Sequence, residues 1–411
     1  MTDSPPRALE GLRVLDLGGA LSNYCTKLFA ELGADVVLIE PPAGNDHRNE
    51  PPFAEDGSGG STASLPFFYR NTSKRAIVVD VDQASGVELV RRLASTADLV
   101  VEDHPPGHLD AKGLGADRLL QDNPALVVTS ITPFGQDGPY AQFQHADLVC
   151  LAFGGLLWMG GYADGPPVRV VGDQAYMAGS LFGAVGSMTA LTHAELQGQG
   201  QHVDVSVQEA VVMGLENAAQ FYDLEHHIRR RFGGTQRQAG FGVFPCADGH
   251  VFLFAGGISG TRFWGNLVDW MRDDGVEGVD ALDGDQWGDR EFLATIEAKE
   301  LLWGCFTSFA QDKSKLELYH ASQKWRVPLG PINLPSDVHA SAQLQHRGFF
   351  VDVEAFGRSV AIAGAPYRLS ETPWQLTGPA PALGEHTDEV LTELGLTTTE
   401  IDGLREQGAI R

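Results

Sequence analysis

The stretch RVLDLGGALSNYCTKLFAELGADVVLIE, residues 13–40, decides the fold. It opens with a short β-branched run at 13–17, continues with an amphipathic segment at 22–32 and closes with a second run at 35–40. The two runs are typical of buried strands, and the middle segment is typical of a helix with Ser22 as its N-cap. A strand, a helix and a second strand with such short connections form a βαβ unit, which predicts a parallel sheet.

The same alternation continues along the chain. Strand-like runs follow at residues 76–81, 98–103 and 125–131, and a helical pattern covers 86–95. Repeated strands and helices of this kind are typical of a doubly wound sheet. The sequence therefore predicts an α/β, Rossmann-like core.

Two domains are expected, because the alternation stops after Tyr222. A polar, glycine-containing segment follows there, and two strand-like runs then surround a turn at 247–250. We therefore expect residues 226–330 to form a small α/β domain with its linkers. Residues 331–411 return to strand-like runs and a final helix, so they are expected to rejoin residues 1–225 in the large domain.

The composition excludes several classes of protein. The chain has 411 residues with 29 Lys+Arg against 54 Asp+Glu, a formal net charge of −25, which disfavours binding to nucleic acid or to an anionic membrane surface. Four widely separated cysteines predict neither a disulfide framework nor a zinc site, and the adjacent His226 and His227 cannot share one helix face as metal ligands. No metal is expected, and with no apolar leader at the N-terminus a cytoplasmic location is predicted. The weakly apolar run at 174–192 is rich in small residues, which favours a buried helix over a membrane span.

Several segments resemble the family III CoA-transferases of the CaiB/BaiF type, in the same order along almost the whole chain. They are LEGLRVLDL at 9–17, FAELGADVVLIEPPAG at 29–44, SKRAIVVDV at 73–81, VVEDHPPGHLDAKGLG at 100–115, NPALVVTSITPFGQDGPY at 123–140, GPPVR at 165–169 and LGEHTDEVLTELGL at 383–396. The resemblance implies an interlocked dimer, with a large domain built from both termini. It also implies that a coenzyme A thioester is a substrate or ligand and that no cofactor is bound permanently. The linkers near Gly233 and Gly330 are the segments expected to interlock.

The family's nucleophile is an aspartate, and this chain departs from the family at that position. In the family this carboxylate attacks an acyl-CoA thioester and forms a mixed anhydride. Counting back along the small-residue helix, which aligns without a gap through Gly186 and the segment 198–206, places Tyr176 at the aspartate position. The nearest carboxylate is Asp173, which is either a displaced nucleophile or the N-cap of that helix.

The resemblance also implies positions for coenzyme A. The loop after the first strand would line the pantetheine, the segment from Glu102 to Gly107 would lie beside it, and basic residues would meet the phosphates. The residues at these positions are Ala20, Leu21, Ser22, Lys74, Arg75, Asp103, His104, Lys112 and Phe134. The acyl-CoA racemases of the family use a histidine before an aspartate, where this chain has Ala146 before Asp147, so racemisation is disfavoured.

These observations predict a CoA-transferase that moves CoA between an acyl-CoA, such as succinyl-CoA, and a free carboxylic acid. The chain is expected to be the subunit without the nucleophile in a heteromeric enzyme of the benzylsuccinate CoA-transferase type, with a homologous subunit that carries the aspartate. One alternative is a self-sufficient homodimer that uses Asp173. Another is a non-catalytic acyl-CoA binding protein.

Overall fold

The fold is described from a computed structural model over residues 6–55, 62–162, 165–231, 236–256 and 261–411. The strands are β1 Arg13–Asp16, β2 Asp35–Glu40, β3 Phe53–Glu55, β4 Thr62–Ser64, β5 Arg75–Val78, β6 Leu99–Glu102, β7 Val127–Thr132, β8 His202–Ser206, β9 Gln236–Gln238, β10 Phe241–Cys246, β11 Gly249–Phe254, β12 Leu329–Ile332, β13 Phe350–Ala355 and β14 Arg358–Ala363. The helices are α1 Asn23–Glu31, α2 Leu65–Arg70, α3 Ala84–Ala94, α4 His108–Ala111, α5 Ala116–Asp122, α6 Asp147–Phe153, α7 Leu156–Met159, α8 Gln174–Gln197, α9 Val207–Met213, α10 Ala218–Glu225, α11 Thr261–Asp273, α12 Arg290–Leu293, α13 Ile296–Ala310, α14 Lys315–Trp325, α15 Pro335–His339, α16 Ala342–His346, α17 Thr387–Glu393 and α18 Thr398–Glu406.

The first compact unit is built on a parallel sheet. It comprises Met1–Leu157, Val170–Ala219 and Gln343–Arg411, and its strand order is β5-β2-β1-β6-β7-β8. Every neighbouring pair in this sheet is parallel. The buried residues form one apolar core on each face, one with α3, α5, α17 and α18 and the other with α1, α6, α8 and α9. Helices thus cover both faces, which explains why the strands read as continuous apolar runs.

The order of the strands reverses at β1 and β6, which lie side by side. In doubly wound sheets, ligands bind outside the carboxyl ends of the strands at this switch point. The loops that follow β1 and β6 are therefore the first place to look for a functional site.

The helix α8 packs closely against its neighbours through glycines. A Cβ at Gly183 would lie 2.5 Å from Cδ1 of Ile131, and one at Gly179 would lie 2.7 Å from Cγ2 of Val207. Glycine is needed at both positions because any side chain would push the helix off β7 and α9. Among the described residues, no helix has the length and apolar character needed to cross a membrane.

The second compact unit comprises Trp158–Arg169 and Gln220–Ala342. Its antiparallel sheet has the order β12-β11-β10-β9, and its core contains buried aromatic residues from α11 and α13. The expected end of the small domain at residue 330 falls inside β12, where Gly330 pairs with Phe252, so this unit continues to Ala342. Gly330 is thus part of a strand rather than a linker, and Gly233 lies outside the described residues.

Candidate functional site

The loops after β1 and β6 meet at the switch point of the parallel sheet. Oδ2 of Asp103 accepts hydrogen bonds from the backbone N–H groups of Gly19 at 2.8 Å and of Leu21 and Ser22 at 3.1 Å. The Ser22 hydroxyl also donates to it at 3.1 Å. Burial raises the pKa of the Asp103 carboxyl. The structure therefore brings Leu21, Ser22 and Asp103 together, but the Ser22 hydroxyl bonds to Asp103 and does not cap α1.

Ala20 and His104 lie in the same two loops, and Phe134 lies after β7. The carbonyl of Ala20 accepts a hydrogen bond from Arg70 at 2.9 Å. The ring of His104 stacks on that of His108, with centroids 4.9 Å apart, and burial lowers the pKa of His104. Phe134 belongs to an aromatic cluster and packs edge-on against Phe153 at 5.1 Å between centroids.

Tyr176 lies in the first turn of α8 and faces His145. Its hydroxyl is 3.0 Å from Nδ1 of His145. Burial, assisted by the nearby Cys150 thiol and then by carboxylates, raises the pKa of the phenol far above its usual value of 10. The phenol is therefore neutral at pH 7 and can donate and accept hydrogen bonds, but it is not a carboxylate that could form an anhydride.

The start of α8 is held by Asp147, which sequence reasoning did not find. Oδ1 of Asp147 accepts from the backbone N–H groups of Ala175 at 2.7 Å and Tyr176 at 3.2 Å. Asp173 occupies the N-cap position, but its side chain makes no cap hydrogen bond. The expectation that Asp173 caps the helix is therefore wrong, because Asp147, 26 positions earlier in the chain, accepts the backbone hydrogen bonds instead.

The Asp173 carboxylate pairs instead with Arg70 of α2. Nη2 of Arg70 lies 2.6 Å from Oδ2 of Asp173, and the arginine is only 4% exposed. Nη1 of Arg70 lies 3.3 Å from Nε2 of His47, whose pKa is lowered to about 3 by burial and by the cations Arg70 and Lys74. The imidazole is therefore neutral, and because an arginine can only donate, its Nε2 accepts. The Glu50 carboxyl also lies 3.2 Å from this nitrogen, and burial raises the pKa of Glu50.

Arg70 and His47 were missed because their roles depend on contacts that are distant in sequence. Arg70 and Asp173 are 103 positions apart. The one local signal is that Arg70 closes the apolar run Leu65–Arg70, where a charged side chain next to the core needs a partner.

Two basic residues expected at the coenzyme A phosphates bind the protein's own acceptors. The Lys74 ammonium is buried, and its three protons go to Oδ2 of Asp16 at 2.8 Å, the carbonyl of Asn23 at 2.9 Å and Oδ1 of Asn71 at 2.8 Å. No proton of this ammonium remains for a ligand. Contrary to the expectation, Lys74 is a structural cation.

Arg75 and Lys112 also have carboxylate partners. The Arg75 guanidinium pairs with Asp35 at 2.7 Å and with Glu393 at 2.9 Å. Arg75 is the first residue of β5, so this pairing lies at the amino ends of the parallel strands, whereas the switch-point loops follow their carboxyl ends. Lys112 forms an ion pair with Asp82. The structure thus gives these two cations other partners than the expected phosphates. Within the described ranges, no group of three or more His, Cys, Asp or Glu side chains is arranged to hold a metal ion.

Comparison with known proteins identifies the family. The model of CoA-transferase family III matches residues 9–387. This chain belongs to CoA-transferase family III. It is 42% identical over 401 residues to the succinyl-CoA:(R)-benzylsuccinate CoA-transferase subunit BbsE of Thauera aromatica, and the match covers 97% of each chain. It is also 31% identical over 404 residues to the succinate–glutarate CoA-transferase of Agrobacterium fabrum, covering 96% of this chain and 98% of the relative.

The fold of this family III chain also matches a solved structure. The crystal structure of a CaiB/BaiF family protein from Brucella suis superposes with a TM-score of 0.84 at 27% identity, over 94% of this chain and 99% of that one. The family predicted from the sequence is therefore confirmed, as is a mixed α/β fold with a parallel central sheet. Enzymes of this family use CoA thioesters as substrates.

Proposed function

We propose that this family III chain is the subunit of a heteromeric CoA-transferase that does not carry the nucleophile. The observation that supports this most directly is the neutral phenol of Tyr176, 3.0 Å from His145, at the position where the family has its aspartate. The similarity to a named subunit of a succinyl-CoA:(R)-benzylsuccinate CoA-transferase points the same way. The reaction proposed is the transfer of CoA from succinyl-CoA to a second carboxylic acid.

The covalent steps would take place on an aspartate of the homologous partner. Its carboxylate attacks the thioester carbon, the C–S bond breaks, and CoA leaves as a thiolate. The thiolate then attacks the aspartyl carbonyl of the mixed anhydride, which releases succinate and leaves CoA bound as an aspartyl thioester. The acceptor carboxylate then attacks the aspartyl thioester, which forms a second mixed anhydride and releases the CoA thiolate. The thiolate attacks the acyl carbon of this anhydride, which releases the new acyl-CoA and restores the aspartate.

The contacts of Asp173 argue against a self-sufficient enzyme. An attacking carboxylate must reach the thioester carbon, whereas Oδ2 of Asp173 pairs with the buried Arg70 at 2.6 Å unless another carboxylate takes its place. The carboxylate also lies outside the first turn of α8, three positions from the aligned site. Asp173 therefore fits the role of an ion-pair partner better than that of a nucleophile.

An unpartnered apolar face supports the proposed dimer. The exposed side chains Leu181, Phe182, Val185 and Met188 share one side of α8, because residues three, four and seven apart lie on one helix face. Exposed apolar patches of this kind mark interaction surfaces. We propose a homologous chain as the occupant, in an interlocked dimer.

Turnover measured with and without the partner tests the proposal. This chain is purified alone and also co-purified with the family III chain of the same source that has aspartate at the position of Tyr176. Transfer of CoA from succinyl-CoA to (R)-benzylsuccinate is then followed by chromatography. We expect background rates from the chain alone, turnover from the pair, and loss of turnover when the partner's aspartate is replaced by asparagine.

Two outcomes would contradict the proposal. Robust turnover by this chain alone, lost in Asp173→Asn, would establish a homodimeric enzyme. Tight binding of succinyl-CoA with no turnover by the pair would instead favour a non-catalytic acyl-CoA binding protein.

A further inference from the structure

We propose that Arg70 is the receptor for the second carboxylate of a dicarboxylic substrate and that Asp173 occupies this receptor until the substrate displaces it. This inference rests on the proposed function, because it assigns the substrate class of the same site. It makes Arg70 a specificity-determining residue and gives Asp173 the role of an internal competitor.

The first support is the way in which Arg70 is fixed. Its guanidinium is buried and oriented by the carbonyl of Ala20 at 2.9 Å and the neutral His47 ring at 3.3 Å. Ala20 belongs to the loop after β1 at the switch point, where ligands of doubly wound sheets bind. A guanidinium held in one orientation is preorganised for a carboxylate, because its planar fork matches the two oxygens.

The second support is the ease with which Asp173 could leave. The Asp173 side chain is 33% exposed to solvent, and the preceding residues 166–172 are exposed. Gly172 has φ of +83°, which permits backbone movement that other residues resist. Since Asp147 supplies the cap of α8, displacement of Asp173 would leave the helix start intact.

The exchange conserves charge in the buried site. If Asp173 left without a replacement, Arg70 would remain as an unpaired buried cation, which is strongly unfavourable. A carboxylate from a ligand restores the pair, and the Asp173 carboxylate gains hydration in return. The site should therefore favour a ligand with a free carboxylate over a neutral ligand of the same size.

The chemistry of the named relatives supplies the matching ligand class. Succinate, benzylsuccinate and glutarate each have a second carboxylate that stays free when the first is converted to a CoA thioester. An enzyme that handles such acids needs a group that recognises this second charge. Within this site, Arg70 is a buried cation whose present partner is a partly exposed aspartate.

A matched pair of ligands tests the assignment. Succinyl-CoA and butyryl-CoA have acyl chains of four carbons and differ in having a carboxylate or a methyl group at the end. Calorimetry on the full chain is expected to show tighter binding of succinyl-CoA, and Asp173→Asn should strengthen succinyl-CoA binding roughly tenfold without changing butyryl-CoA. Arg70→Met should remove the preference, whereas the control Arg91→Met, which breaks a partly exposed pair with Asp122, should retain it.

A thermal measurement covers the case in which Arg70→Met does not fold. In Asp173→Asn, Arg70 has lost its carboxylate, so succinate should raise the melting temperature more than it does in the wild type. The neutral analogue succinamide should have no such effect. Equal responses to both compounds, or an unchanged ligand preference in folded Arg70→Met, would overturn the assignment.

These binding measurements need no partner and no turnover, so they separate the two proposals. A preference for succinyl-CoA that depends on Arg70 would stand even if this chain proved to be catalytic alone. Conversely, turnover that requires the partner would leave the subunit role intact if Arg70 showed no preference.

Discussion

At the scale of single residues, the buried charges of the first unit explain which cations are structural. The ion pair between Lys74 and Asp16 has no exposed side-chain surface, and Thr26 and Asn23 also bond to the same carboxylate. A residue pair of this kind holds the loop after β1 against α1. Sequence alone could identify Lys74 as a charged residue at the start of a strand, but not the direction in which its side chain points.

We expect Lys74→Met to lower the free energy of unfolding by about 3–5 kcal/mol, because it leaves Asp16 buried without its cation. Urea denaturation measures this change. The control Arg91→Met should lose at most about 1 kcal/mol, because its ion pair is partly exposed. Unchanged stability combined with a tenfold loss of CoA affinity would restore Lys74 as a phosphate ligand.

Glu102, at the end of β6, should make stability depend on pH. Burial raises its pKa from 4.5 to about 7, so between these values the unfolded chain ionises while the native carboxyl stays protonated. Its contribution is therefore most favourable below pH 4.5 and is lost as the pH rises to about 7. Glu102→Gln mimics the protonated form and should avoid this loss.

Urea denaturation at pH 5 and pH 8 tests the sign. The stability of Glu102→Gln relative to wild type should rise by about 2.5 kcal/mol between the two pH values. The exposed control Glu88→Gln should show no comparable rise. A relative stability that falls with pH would mean that Glu102 is ionised in the native state.

At the scale of elements, α8 shows what local sequence can and cannot predict. The run of small residues correctly indicated a helix beginning at Gln174, but only one face of it is buried in this chain. The cap could not be found, because Asp147 lies at the start of α6 and reaches α8 only through the packing of the two helices. Capping arguments based on neighbours in sequence favoured Asp173 for this reason.

Asp147→Ala should destabilise the chain by about 1–2 kcal/mol, because two backbone N–H groups of α8 lose their acceptor. Asp147→Asn keeps an acceptor oxygen and should lose less. The exposed Gln174→Ala serves as the control at the same helix start. Equal stability of all three variants, measured by thermal unfolding with circular dichroism, would show that the cap does not hold the helix.

At the scale of the whole molecule, the order of strands and helices was accessible from the sequence because apolar runs and turn residues repeat along the chain. The strand predicted at residues 35–40 has those same bounds in the structure, and the hairpin around residues 247–250 is present. The domain boundary at 330 was misplaced, because Gly330 in a strand cannot be distinguished from Gly330 in a linker by composition. The Arg70–Asp173 pair was inaccessible for a related reason, since nothing local links the two residues.

The apolar face of α8 predicts that the chain does not exist as a monomer. Light scattering at micromolar concentration should give about twice the monomer mass for the purified chain or for its heteromer. Val185→Glu should shift the assembly toward monomer, because it places a charge in the proposed interface. Gln121→Glu, an added charge on α5, is the matched control. A monomeric wild-type chain would contradict the dimer.

This chain is expected to carry no covalent nucleophile, and trapping of the acyl-enzyme tests that expectation. The active pair is mixed with succinyl-CoA and hydroxylamine, which converts an activated aspartyl group into a hydroxamate, and peptides of both chains are analysed by mass spectrometry. We predict a hydroxamate on the partner's aspartate and unmodified Asp173 and Tyr176 in this chain. A hydroxamate on Asp173 would show instead that this chain supplies the nucleophile.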